Sequence, residues 1–254
     1  MNGLAELQLD TYLYSMTDTL TLALVLIPCL IVAIVFHEVA HGYSALLLGD
    51  TTARDQNRLS LNPIRHVDPV GTLLVPGGLA LAGAPVFGWA KPVPVRQDRL
   101  DNPRFGMMAV AAAGPGSNFV LALIGAIALG LALPLDAQIT MASNGMSLIA
   151  NQLGETLLLQ SGLFYFILIN VFLGVFNLLP IPPFDGSHIV EGALPDNLAA
   201  AYRKLRPYGM ILFFGLVALT WFAPHLGVLE NTIGPPVNWA LTQYLDIATA
   251  VAGG

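Results

Sequence analysis

LALVLIPCLIVAIVFHEVAH, residues 22–41, joins an uncharged apolar run to a polar motif in one continuous stretch. Leu22 to Phe36 carries no charge and leads directly into His37-Glu38-Val39-Ala40-His41. Histidines four residues apart stand on one face of a helix, one turn apart. That spacing lets two imidazoles reach one Zn²⁺ at about 2.0–2.1 Å. Glu38 then points beside the metal, where a carboxylate can take a proton from water. The apolar run before the motif places this chemistry within a membrane.

Composition supports that placement. The 254 residues are 55% hydrophobic and only 10% charged, with a mean hydropathy of +0.69. A soluble domain carries about 25% charged residues. The formal charge of −6 and the absence of a basic face argue against a nucleic-acid partner. Cys29 is the one cysteine, which excludes an intrachain disulfide and a multi-cysteine metal site. Met1–Asp18 has no Lys or Arg, unlike the basic start of a signal peptide.

The pattern predicts an all-α membrane protein with about four spans, forming one integral-membrane domain over 1–254. Its core covers about 19–222, and residues 1–18 and 223–254 are expected to be interfacial. The first span runs from about Thr19 to Leu48, with Pro28 inside it. About 30 residues make about 45 Å of helix, longer than the ~30 Å hydrocarbon core. The H-E-x-x-H therefore falls near the far edge of the core. The second span is Met107–Leu133, the third Ser161–Leu179 and the fourth Pro207–Phe222. Residues 70–95 are apolar but hold Gly71, Pro76, Gly77, Gly78, Gly83, Pro85, Gly88, Pro92 and Pro94. So many breakers predict a re-entrant loop or β-hairpin beside the site, since irregular backbone at membrane depth must be buried in protein or line a cavity. The 134–160 linker reads as partly helical. Trp221, Trp239 and Tyr244 are expected as interface anchors.

Charge sets an orientation. Seven of the ten Lys and Arg residues lie at 54, 58, 65, 91, 96, 99 and 104, between spans one and two. The other three, at 203, 204 and 206, lie between spans three and four. With both termini outside, four spans put all ten on the cytoplasmic side, as the positive-inside rule requires. The H-E-x-x-H end of span one then lies near the cytoplasmic face, at the depth where span three ends.

Catalytic zinc takes three protein ligands and keeps one position open. His37 and His41 supply two. An ionisable residue close to a span is costly and therefore usually functional. Asp185 and His188 follow the end of span three, and Asp185 is favoured because Gly186 frees its backbone and zinc accepts carboxylate oxygen. His66 and Asp68 read as loop residues, because the first metal shell is already filled.

The sequence resembles the site-2 proteases, zinc metalloproteases that cut within membranes, in the short prokaryotic form without a PDZ domain. The resemblance rests on His37–His41, on Gly114-Pro115-Gly116-Ser117-Asn118, and on residues 177–186, NLLPIPPFDG. Residues 58–72, with Asn62-Pro63, His66, Asp68-Pro69 and Gly71-Thr72, are similar too. It covers about residues 20–220, and Ser187 departs from it where many members have a second glycine.

This resemblance implies one Zn²⁺ per chain held by His37, His41 and Asp185, with Glu38 as general acid/base. It implies hydrolysis of peptide bonds in or near transmembrane segments by zinc-activated water. Asn118 is expected to contact substrate or support the oxyanion, and Asn177 to contact substrate or brace the Asp185 turn. The implied partners are a transmembrane protein substrate and the lipid bilayer. The implied location is a prokaryotic cell membrane, with the site near the cytoplasmic side. A metal transporter or sensor is the alternative, since transporters also place His and Asp at membrane depth. No repeated half is visible to support it.

Overall fold

The computed structural model describes residues 2–82, 88–134, 136–141 and 147–253, with side chains from residue 23 onward except at residue 80. Helices dominate. Helix α1 (Asn2–Leu47) contains the opening stretch, and Pro28 lies inside it. Helix α2 (Thr52–Asp55) is a single turn. A π-helical turn at Pro69–Leu74 leads into α3 (Val75–Leu81). Then come α4 (Pro103–Ala132), strands β1 (Gln138–Met141) and β2 (Ser147–Ala150), and α5 (Leu158–Asn177). Helices α6 (Asp185–Ala193), α7 (Asp196–Arg203), α8 (Gly209–Phe222), α9 (Val228–Thr232) and α10 (Gly234–Gly253) complete the chain.

Among the described residues, four helical segments are long and apolar enough to cross a membrane: Ala23–Leu47, Pro103–Ala132, Leu158–Asn177 and Asp196–Phe222. This is the expected all-α membrane protein. The fourth segment starts earlier than the hydropathy pattern suggests, because α7 and the turn at Arg206–Tyr208 run into α8. Ile211, Phe214, Leu219 and Phe222 of α8 face outward, as lipid contact requires.

The chain forms two compact units. One comprises Met1–Ile31, Leu121–Asn170 and Ala240–Gly254. Glycines set its helix packing. A Cβ on Gly130 of α4 would lie 2.4 Å from the Ala248 carbonyl oxygen of α10, and one on Gly125 would lie 2.9 Å from the Phe166 ring of α5. Small residues permit such approaches between membrane helices. The closing segment, expected to be interfacial, thus contributes a 20-residue helix packed on α4.

The 134–160 linker differs from its partly helical reading. It holds an antiparallel pair in register Gln138↔Ala150, Ile139↔Ile149, Thr140↔Leu148 and Met141↔Ser147. β-Branched Ile139, Thr140 and Ile149 favour strands, and α5 seats the pair. The Ser161 hydroxyl accepts the Ile149 N–H at 2.9 Å, and the Tyr165 hydroxyl donates to the Ser147 carbonyl at 2.7 Å.

The other unit comprises Val32–Val120 and Val171–Trp239. Ala45, Leu100 and Val110 form a buried apolar cluster with Leu48, Val95 and Met107 packed against it. The irregular element expected at 70–95 is helical through Leu81, and residues 88–96 run outside any helix or strand. A hairpin tip at 83–87 lies outside the described residues. Gly71 and Gly88 make this element compact: a Cβ on Gly71 would lie 2.3 Å from the Trp89 ring, and one on Gly88 2.3 Å from the Gly71 carbonyl oxygen.

Candidate metal centre

The last turns of α1 place His37 and His41 on one face, their rings 4.6 Å apart and nearly perpendicular. Their Nε2 atoms are 3.1 Å apart. Oδ2 of Asp185 lies 3.2 Å from His37 Nε2 and 3.3 Å from His41 Nε2. These three residues can hold a metal ion.

The hydrogen bonds on the far side of each ring identify the tautomers. Nδ1 of His41 lies 2.7 Å from the carbonyl oxygen of Val110, which can only accept. Nδ1 of His37 lies 2.7 Å from Oδ1 of Asn118, whose Nδ2 donates to the Ala33 carbonyl. Both imidazoles therefore carry the proton on Nδ1 and turn a bare Nε2 lone pair inward. Asp185 Oδ2 is buried without a hydrogen-bond partner. With both imidazoles neutral, three donor atoms turn their lone pairs on one point, an arrangement that a cation stabilises. Tetrahedral ligands at about 2.0–2.1 Å lie about 3.3–3.4 Å from one another. The donor set and its spacing fit zinc.

Local sequence explains how each group arrives. Gly114 of α4 backs the rings: a Cβ there would lie 2.4 Å from His41 Nε2 and 2.7 Å from His37 Cε1. Asn118 stands one turn further along α4, fully buried. Asp185 opens α6 after the Pro180–Phe184 break. A Cβ on Gly186 would lie 2.2 Å from the Leu178 carbonyl oxygen. Glycine is needed there for close approach, whereas the sequence suggested backbone freedom. Phe184 anchors the turn, buried against Phe176 at 4.6 Å.

The other expected residues fall as follows. Glu38 accepts a hydrogen bond at Oε2 from the Val93 N–H, at 2.7 Å. Asn177 donates to the Leu173 carbonyl one turn back in α5. Asn118, expected to contact substrate or support the oxyanion, accepts a hydrogen bond from His37 Nδ1. His188 faces Arg206, 3.2 Å from Nδ1. Burial, then the Arg206 charge, hold its imidazole below the usual range. His66 is buried on the Ser60 carbonyl, and the Asp68 side chain accepts from the Val70 and Gly71 amides. Both act in the loop, as expected.

Two contributors escaped the sequence. Asp50 is fully buried just past α1. Its carboxylate accepts from the Thr52 N–H and hydroxyl and from the Arg96 N–H. Burial raises its pKa, but these bonds more than offset that and hold it below the usual carboxylate range. Asp50 thereby ties the chain after Val93 to the end of α1. Arg58, also buried, donates to the Lys91 carbonyl at 2.7 Å. An Asp or Arg in a polar loop gives no sequence signal that it is buried.

The sequence comparisons agree with this chemistry. Peptidase family M50 matches residues 25–219, and the chain belongs to that family. It is 39% identical over 247 residues to a Bacillus subtilis (strain 168) protein named "Putative zinc metalloprotease YwhC", covering 96% of this chain and 98% of that one. It is 25% identical over 221 residues to "Putative zinc metalloprotease Rip2" of Mycolicibacterium smegmatis (strain ATCC 700084 / mc(2)155), covering 78% and 72%. No solved structure matches. The protein is a zinc metalloprotease with an integral-membrane fold. The transporter alternative has no support in these relatives.

Proposed function

We propose that the protein is an intramembrane endopeptidase that hydrolyses peptide bonds within or near transmembrane segments of membrane proteins. The observation that carries this reading is the convergence of three bare donor atoms, with Glu38 beside them, at the end of an apolar spanning helix. His37, His41 and Asp185 hold the zinc. Bound zinc supplies a Lewis acid that polarises a carbonyl and brings the pKa of water to about 7.

Glu38 accepts the proton of the attacking water and returns it to the leaving amine nitrogen. The Val93 N–H fixes its Oε2 and leaves Oε1 outside that bond. Asn118 orients His37 through Nδ1 and keeps its Nε2 bare. Asn177 braces the end of α5 before the Asp185 turn. The clustering of Lys and Arg between the first two spanning segments and in the opening turns of the second and fourth supports a site near the cytoplasmic face of a prokaryotic cell membrane. Residues 1–254 act as one domain in this reading.

The test is Glu38→Gln in protein reconstituted with transmembrane substrates. The variant should keep its zinc and lose cleavage. Full activity in that variant would refute the mechanism.

A further inference from the structure

Residues 58–72 supply no ligand to the metal centre, yet they converge on the stretch that meets Glu38. The Trp89 N–H donates to the Gly71 carbonyl at 3.1 Å, and the Thr72 hydroxyl to the Trp89 carbonyl at 2.9 Å. Lys91 is held at both of its backbone groups. Its N–H donates to the His66 carbonyl at 2.8 Å, and its carbonyl accepts from Arg58 at 2.7 Å. Two residues on, the Val93 N–H donates to Glu38 Oε2 at 2.7 Å.

The link between Lys91 and Val93 is stiff. Pro92 and Pro94 hold φ at about −65°. Lys91 and Val93 each precede a proline, which confines them to extended backbone. A displacement at Lys91 is therefore carried to Val93 rather than absorbed. The far end of the stretch is tied too, by the Asp50 carboxylate on the Arg96 N–H. Val93 is also seated against α1. A Cβ on Gly42, one turn beyond Glu38, would lie 3.0 Å from Val93 Cγ1 and 2.5 Å from Leu59 Cδ2.

Arg58 is the unusual member of this arrangement. It is buried, its Nε lacks a hydrogen-bond partner, and it makes no ion pair among the described residues. Burying a cation without a counter-ion is costly, and an apolar side chain would close a loop as well. What the guanidinium adds is a charged donor on the Lys91 carbonyl.

Resting on the peptidase reading above, we propose that Arg58 is a positioning residue for Glu38. It fixes Lys91, and the Pro92-Val93-Pro94 link then keeps the Val93 N–H on Oε2. That bond holds the carboxylate in one orientation and leaves Oε1 to exchange a proton with water. A shift of about 1 Å in such a group costs about 100-fold in rate.

The test uses the intact zinc-loaded protein in detergent. Two quantities are read: hydrogen exchange resolved to single amides, and steady-state cleavage of a synthetic apolar segment. Arg58→Met removes the donor, Arg58→Lys keeps a charged donor, and Val93→Pro removes the N–H itself. Arg58→Met should speed exchange of the Val93 amide by about tenfold or more. It should lower kcat by about 10- to 100-fold, with KM within about twofold of the parent and zinc content unchanged. Arg58→Lys should recover most of both losses. In a Val93→Pro background, Arg58→Met should cost nothing further, because the bond it acts through is gone. A loop that merely folds less well gives losses that multiply.

Unchanged Val93 exchange or unchanged kcat in Arg58→Met, zinc loss in both Arg58 variants, or multiplying losses in the double variant would overturn the positioning role. Faster Val93 exchange in Arg58→Met, restored in Arg58→Lys, with no cleavage by the parent would leave the Arg58–Val93 link standing and remove the peptidase reading.

Discussion

Oδ1 of Asn118 receives the Nδ1 proton of His37 at 2.7 Å, so a residue of α4 decides which nitrogen of an α1 histidine is free to bind metal. Outer-shell partners of this kind are typically worth 10–100-fold in metal affinity. Asn118→Ala should lower zinc affinity by about that factor in a competition titration with a chelator. Asn118→Asp keeps the acceptor and should retain most of the affinity. Equal affinity in the alanine variant would show that His37 needs no orienting partner.

Gly114 tests the steric side of the same site. A methyl group there meets both imidazoles inside van der Waals contact. Gly114→Ala should displace the rings and reduce bound zinc, measured as metal per protein after purification. Gly116, whose Cβ would meet nothing within 4 Å, is the control: Gly116→Ala should bind zinc normally.

Zinc removal should destabilise the protein. Three donor atoms turn their lone pairs on one point, which a cation stabilises, and a ligand that binds only the native state adds stability. At a free zinc concentration about 100 times Kd that contribution is about 2.7 kcal/mol. Chelation should lower Tm in a detergent melt, and Asp185→Asn should shrink the difference between zinc-loaded and stripped protein.

Asp50 gives a pH prediction outside the spans. Its folded pKa lies below the usual value near 3.9. A carboxyl group depressed on folding stabilises the native state above its unfolded pKa, and that stability is lost as pH falls through the folded pKa. The Asp50 contribution is therefore whole at neutral pH and declines as the pH falls below about 4 towards the lower folded pKa. Asp50→Asn turns an amide towards the Arg96 N–H and should cost about 1–3 kcal/mol at pH 7. The gap between the two proteins should narrow as the pH falls below about 4.

Much of the site was legible because its residues break local rules. His37, Glu38 and His41 follow a long uncharged run, and Asp185 follows the end of another. The depth argument from Lys and Arg counts paired the two without a contact map. The strands at 138–150 were not legible. Each is four residues long, and what holds them is Ser161 and Tyr165 on a following helix. Nor did anything local mark α10 as a packed helix, since its seat is Gly130 of α4.

The sequence by itself determined the solvent, the helical architecture and the metal-binding chemistry, because hydropathy and residue type are properties of the residues themselves. Tertiary structure alone decided what supports that chemistry. It gave Asn118 a hydrogen bond to His37. It showed Gly114 and Gly186 as the space the site needs. It laid the Val93 amide on Glu38. These are relations between residues far apart in the chain, and only packing brings them within hydrogen-bonding distance.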